Sequence, residues 1–199
     1  MYRNNLSGAE FWTSPHKAIT LLGMSGAGKT TLASRLPQRT WFHYSGDYRI
    51  GTRYLGEAIL DNAKREAMKS PLLAELLRSD SIYLCNNITV SNLKPLSGFL
   101  GMVGDPALGG LGIDEFKRRQ ALHRDAEVCS MLDVREFIDK SLEIYGYPHF
   151  INDAGGSLCE LDEPGVLEQL AEDTLIVYLK PSDEMLEKII ERSMDEPKP

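Results

Sequence analysis

The residues best suited to chemistry lie near the start of the chain. Gly23-Met24-Ser25-Gly26-Ala27-Gly28-Lys29-Thr30 follows the spacing G-x-x-x-x-G-K-[ST]. Such a stretch can turn successive backbone N–H groups onto one anion, because glycines leave open the paths that a Cβ would block. Ser25, Gly26 and Ala27 supply the middle of that turn, and Thr31 follows it. Lys29 adds a full positive charge suited to a polyphosphate, and the Thr30 hydroxyl is a ligand for Mg²⁺. With glycine near 7% of average usage, a chance match somewhere in this chain has odds of roughly one in a hundred.

Further candidates lie downstream. Asp47, in SGDYRIGTRY, follows a run rich in strand formers; it can orient or deprotonate an attacking hydroxyl, or serve as a turn residue after Gly46. Arg49 and Arg53 suit a bidentate grip on an anionic substrate, or a solvated surface. Asp153 ends the short run HFIND and precedes Gly155 and Gly156. An aspartate at a strand tip holds Mg²⁺ directly or through water; the alternative is a turn residue before two glycines. Arg118, Arg119, His123 and Arg124 share one helical stretch, FKRRQALHRDAE. They form either an anion-reading face or a solvated one paired with Asp125 and Glu127.

These residues need elements to position them. Lys17–Leu22 (KAITLL) reads as a buried strand stopping at Gly23, and Gly28–Leu36 as a helix that Pro37 ends. Thr40–Ser45, His149–Asp153 and Thr174–Leu179 read as strands. Helices are expected over Ala58–Ala67, Leu72–Leu77, Ile113–Leu132, Val134–Tyr145, Pro164–Ala171 and Ser182–Arg192, the last capped by Ser182. Residues 1–15 read as a polar lead-in, and Ser81–Val90 as either strand or helix. Ser97–Gly112 holds glycines at 98, 101, 104, 109, 110 and 112 and reads as a mobile loop, suited to a switch or a protein partner. Alternating strands and helices imply an α/β fold, a parallel sheet with helices on both faces and ligands at the carboxyl ends of the strands.

GMSGAGKTTLASRL resembles the small-molecule P-loop kinases, the group of shikimate, gluconate and nucleoside monophosphate kinases. The resemblance covers residues 17–55 and 149–192. It implies a three-layer P-loop NTPase fold, with MgATP held by residues 23–31 and Asp153 in the Walker B position. It also implies an acceptor hydroxyl contacted by Asp47, Gly155 and Gly156 set against substrate, and Arg192 as a lid arginine. In that group a fifth strand and an adenine-contacting loop follow the lid, so the chain is expected to be truncated after its fourth strand and helix. Residues 56–148 depart from the pattern and read as a mainly helical insertion in a single domain spanning 1–199.

Composition narrows the partners. The chain has 199 residues, 42% hydrophobic and 26% charged, enough for one folded domain. A net charge of −7 disfavours nucleic acid, and no apolar run is long enough for a membrane. Three widely spaced cysteines and no signal-like apolar core suggest a reducing cytoplasm. The expected cofactors are ATP and Mg²⁺. Either a kinase with an unidentified small polar acceptor or an ATPase or nucleotide switch acting on a protein fits; the GTPase pattern N-K-x-D is absent.

Overall fold

A computed structural model of the chain describes residues 7–158 and 163–195, except the side chains of Arg192, Ser193 and Asp195. It divides into two compact units. Residues up to Gly46 and from Glu127 onward form one, and Asp47–Ala126 form the other. The boundaries differ from the 56–148 insertion read from sequence, since residues 127–148 belong with the first unit.

The first unit is built on four strands: β1 (Lys17–Leu22), β2 (Trp41–Ser45), β3 (His149–Asp153) and β4 (Leu175–Tyr178). They lie in the order β2-β3-β1-β4, and every pairing is parallel. Both faces of the sheet are covered, so its strands are apolar on both sides. On one face Ala18, Leu22, Tyr44 and Phe150 pack with Met131 and Val134, and with Val166 and Leu170. These last four come from α7 (Ile113–Leu132), α8 (Val134–Glu143) and α9 (Pro164–Asp173). On the other face Leu21 and Ile151 pack with Ala33 of α2 (Lys29–Arg35).

One polar set is buried in this core. Thr174 Oγ1 donates to Thr20 Oγ1 at 2.8 Å, and Asn152 Nδ2 donates to the same oxygen at 3.2 Å. Asn152 makes β3 look less apolar in sequence, yet it is fully buried and partly satisfied by its neighbour across the sheet.

Two readings of the first unit are refined. The lead-in contains a helix, α1 (Gly8–Thr13), started by a reciprocal cap in which Ser7 Oγ accepts from Glu10 N–H and the Glu10 carboxylate accepts from Ser7 N–H. Ser182 does cap α10 (Asp183–Asp195), accepting from Met185 N–H at 3.3 Å.

The second unit is helical. It contains α3 (Gly46–Arg49) running into a π-helical turn at Ile50–Tyr54, then α4 (Gly56–Ala67), α5 (Pro71–Arg78), α6 (Lys94–Leu100) and the first part of α7. Its core is Ile50, Leu55, Ile59, Leu96, Phe99, Leu100 and Ala126. Gly51 lies tightly against its neighbour in the π turn, since a Cβ there would stand 3.3 Å from Ile88 Cγ2. Residues 81–90 are neither strand nor helix. Side-chain amides in and just after this stretch instead satisfy backbone: Asn86 Nδ2 donates to Gly56 O at 2.6 Å, and Asn92 Nδ2 to Asn87 O at 2.7 Å. Of the glycine-rich stretch, Ser97–Leu100 finishes α6. The remainder is a compact loop bridged at Val103 and Leu111. No described helix is long and apolar enough to cross a membrane.

Candidate functional site

The turn between β1 and α2 takes the shape its glycines permit. Gly23, Gly26 and Gly28 have φ of 145°, 86° and 93°, values that residues with a Cβ rarely adopt. Gly23 has a second constraint, since a Cβ there would lie 2.7 Å from Leu179 O. The chain thus wraps tightly as it leaves β1, and Ala27 N–H donates to Met24 O at 3.2 Å. Lys29 Nζ sits inside the curl, donating to Gly23 O at 2.6 Å and to Met24 O at 3.1 Å. The lysine is 7% exposed, so its charge is held close to the loop rather than in solvent.

Helix α2 begins at Lys29 with Gly28 at its cap, and no side chain caps it. Thr30 and Thr31 stand exposed in this first turn.

The tip of β3 lies beside this loop. Asp153 pairs in register with Leu21 of β1 on one side and Ser45 of β2 on the other, two residues before Gly23 in the chain. Its carboxylate is buried, and Oδ2 lies 3.6 Å from His43 Nε2. Gly155 and Gly156 follow. A Cβ on Gly156 would lie 2.9 Å from Ser25 N, so the two loops touch through backbone at this point. A Cβ on Gly46 would lie 3.4 Å from both Asp153 O and Gly155 N. Three strand ends thereby converge, each closed by a glycine that lets backbone meet backbone. On the opposite flank, Ile189 of α10 lies 3.5 Å from where a Cβ on Gly26 would stand.

The first unit thus brings together residues 23–31, Asp153, Gly155 and Gly156. The remaining candidates belong to the second unit or to α10. Asp47, Arg49 and Arg53 open the second unit: Asp47 in the first turn of α3, Arg49 over the Tyr54 ring at 5.8 Å, and Arg53 exposed in the π turn. Arg192 lies in α10, but its side chain is outside the described residues. Cys159 is also outside them, while Cys85 is an exposed free thiol.

The basic cluster on α7 is absorbed by structure. Arg119 donates from Nε to Glu115 at 2.7 Å, from Nη2 to Asn62 Oδ1 at 2.9 Å, and from Nη1 to Phe99 O. Its guanidinium also lies 4.7 Å from the centroid of the Phe99 ring. Arg118 pairs with Glu115. Burial pushes the His123 imidazole below its ordinary value, which disfavours a positive charge there.

Two contributors carried no sequence signal. His43 alternates with Phe42 and Tyr44 in β2 and reads as an ordinary strand residue. Glu127 sits in a helix charged on all sides, yet it is 1% exposed and its carboxylate accepts from Ser157 Oγ at 2.7 Å. That bond anchors the Gly155–Gly156 turn to α7. Among the described residues no group of three or more His, Cys, Asp or Glu side chains could hold a metal on its own. The chain matches no family model, no curated protein and no solved structure.

Proposed function

We propose that the chain is an ATP-dependent phosphotransferase of the P-loop type, moving the γ-phosphoryl of MgATP to a small polar metabolite. One observation carries this reading: the closed 23–30 turn, with left-handed glycines and a buried lysine ammonium at its centre, beside an aspartate at the adjacent strand tip. The buried ammonium steadies the turn through Gly23 O and Met24 O, and in a polyphosphate site Lys29 can exchange those carbonyls for phosphate oxygens that carry full negative charge.

The residues present fit both ligands. Gly23 and Gly156 occupy places where a Cβ would collide with backbone, while nothing lies within 4 Å of one on Gly28, so the turns pack closely at the first two positions and stay open at the start of α2. Thr30 and Asp153 would hold Mg²⁺ together with the phosphates, and the ion would neutralise charge on them. The chain's own contribution is positional: Lys29 and the loop amides fix the phosphates, and the Glu127–Ser157 bond fixes the neighbouring turn. In transfer, the acceptor oxygen bonds to the γ-phosphorus as the bond to the β,γ-bridging oxygen breaks. ADP leaves, and the acceptor proton passes to a base, the role the sequence offers to Asp47. Arg49 and Arg53 are its candidate partners for an anionic acceptor.

The test is ATP consumption by the purified chain, alone and with fractionated small metabolites. Slow turnover that one metabolite fraction accelerates, with transfer of the terminal phosphate to a compound in it, supports the reading. Rapid turnover alone, unchanged by any fraction, would replace it with an ATPase. Asp47→Asn should retain ATP binding and lose transfer; unchanged transfer removes Asp47 from the chemistry.

A further inference from the structure

At the amino ends of the strands, remote from the 23–30 turn, there is a second concavity. A cavity of about 400 Å³ is lined by Phe11, Trp12, Lys17, Ile19, Trp41 and His149. The sheet supplies its floor through register. Lys17 pairs with His149 and Trp41 pairs with the same His149, so three cross-strand neighbours present their side chains on one face. Helix α1 supplies the opposite wall with Phe11 and Trp12. Lys17 begins β1 and Gly23 follows its end, which separates the two sites by about 20 Å at the rise of an extended strand.

The lining has a definite chemistry. Both tryptophans of the chain are here. The Trp41 and His149 rings lie 4.9 Å apart at 47°, and Trp12 is 80% exposed, a large aromatic surface left in water beside other aromatics. Flat apolar walls of this kind suit a ring that can stack or meet them edge-on. The volume is within the range of small-molecule sites.

The charge is one-sided. The Lys17 ammonium is tethered to Ser14 O at 2.6 Å, and Lys17 N–H donates to His149 Nδ1 at 3.3 Å. His16 stands beside them, its ring 3.4 Å from Pro148 O. Among the described residues no carboxylate lines the cavity, in a protein whose net charge is −7. Burial first, and the neighbouring Lys17 ammonium second, push the His149 imidazole below its ordinary value. A ligand anion would relieve that excess.

We infer that this cavity is a second ligand site, taking a planar aromatic ring that bears an anionic group such as a carboxylate. It stands independently of the proposed phosphotransfer, because stacking walls and a lysine are all it requires.

The test uses the two tryptophan indole N–H signals of the intact, ¹⁵N-labelled chain. The probes are 2-naphthoate, the neutral 2-naphthamide and the cationic 2-naphthylmethylammonium. Both indole signals should move with 2-naphthoate. The amide should bind about fivefold to tenfold more weakly, and the ammonium not detectably. Lys17→Met should bring the naphthoate and naphthamide affinities together. Trp12→Ala, at an exposed position that leaves the fold intact, should weaken naphthoate binding as read by Trp41. Three results would overturn the inference: no movement of either signal at millimolar naphthoate, equal response to all three probes, or naphthoate binding unchanged in both Lys17→Met and Trp12→Ala.

Discussion

Two glycine-rich loops in this chain end in opposite structures. Residues 23–28 curl around a cation: the Gly23 and Met24 carbonyls point inward to the Lys29 ammonium. Residues 101–112 close on themselves. Gly104 N–H donates to Leu111 O at 2.9 Å, Leu111 N–H donates to Met102 O at 2.8 Å, and Asp105 Oδ1 accepts from Ala107 N–H. The second loop contains no Lys or Arg, and it turns Met102, Val103 and Leu108 outward, Leu108 at 87% exposure. Both contain left-handed glycines, at φ of 60° and 88° for Gly101 and Gly109. Glycine content therefore makes a tight loop possible but does not say what the loop holds. Spacing relative to a strand, a helix and a lysine does.

The sharpest way to break this contrast is Lys29→Ala. Losing charge-assisted bonds to two phosphates should weaken nucleotide binding about a hundredfold or more, measured by titration calorimetry. Leu108→Ser should leave it within about twofold. Equal effects would mean that the two loops do not differ as described.

Next in size is Gly156→Ala. Its new Cβ would press on Ser25 N, a backbone atom that cannot swing away, so the 23–30 turn must shift. Nucleotide affinity should fall about tenfold. Gly109→Ala meets nothing within 4 Å and strains only its own φ, so it should cost about 1 kcal/mol of stability and no affinity. Thermal unfolding and nucleotide titration of both variants separate the two outcomes.

A smaller effect is expected from Asp153→Asn. The gain in ATP affinity on adding Mg²⁺ should shrink about fivefold, while binding in excess chelator stays unchanged. A full Mg²⁺ effect in that variant would remove Asp153 from the cation site.

The parallel sheet was legible because KAITLL, TWFHYS, HFIND and TLIVYL are short apolar or β-rich runs bounded by turns, and all four are strands. The loop at 23–30 was legible because its function, if any, demands fixed residue types at fixed spacing. Helix α1 was readable but unread: Ser7 and Glu10 stand at the capping-box spacing. Residues 81–90 were not readable, since Ile and Val in them suit a strand while Asn86 and Asn92 pull the chain into side-chain-to-backbone bonds that only the folded unit reveals. His43 and Glu127 were hidden for a related reason. Each matters through one distant partner, Asp153 or Ser157, and long-range pairing leaves no local pattern. Arg119 shows the converse, a member of a basic cluster that looks like a ligand site until its N–H groups are seen donating to Glu115, Asn62 and Phe99 O.

That network also gives the gentlest test of the contrast, by acid. Hydrogen bonds from Arg118 first, and Arg119 second, hold the Glu115 carboxyl down at about 2. A depressed carboxyl binds fewer protons folded than unfolded. The stability it adds is therefore complete above its ordinary value near 4.5 and is lost as pH falls from there through about 2. Glu115 is 38% exposed, so solvent screens the pair and the contribution is modest. Its location gives it leverage, because Arg119 also grips Phe99 O, two residues before Gly101 opens the second loop. Between pH 4.5 and 2, the protection of amides in residues 101–112, taken relative to the intrinsic exchange rate at each pH, should fall, and Glu115→Gln should show the lower protection already at neutral pH. Residues 23–28 close on Lys29 through the Gly23 and Met24 carbonyls, which do not titrate, so their protection should not follow the same titration. Parallel loss of protection in both loops, in the parent chain and in Glu115→Gln alike, would show that the second loop is not held through Arg119.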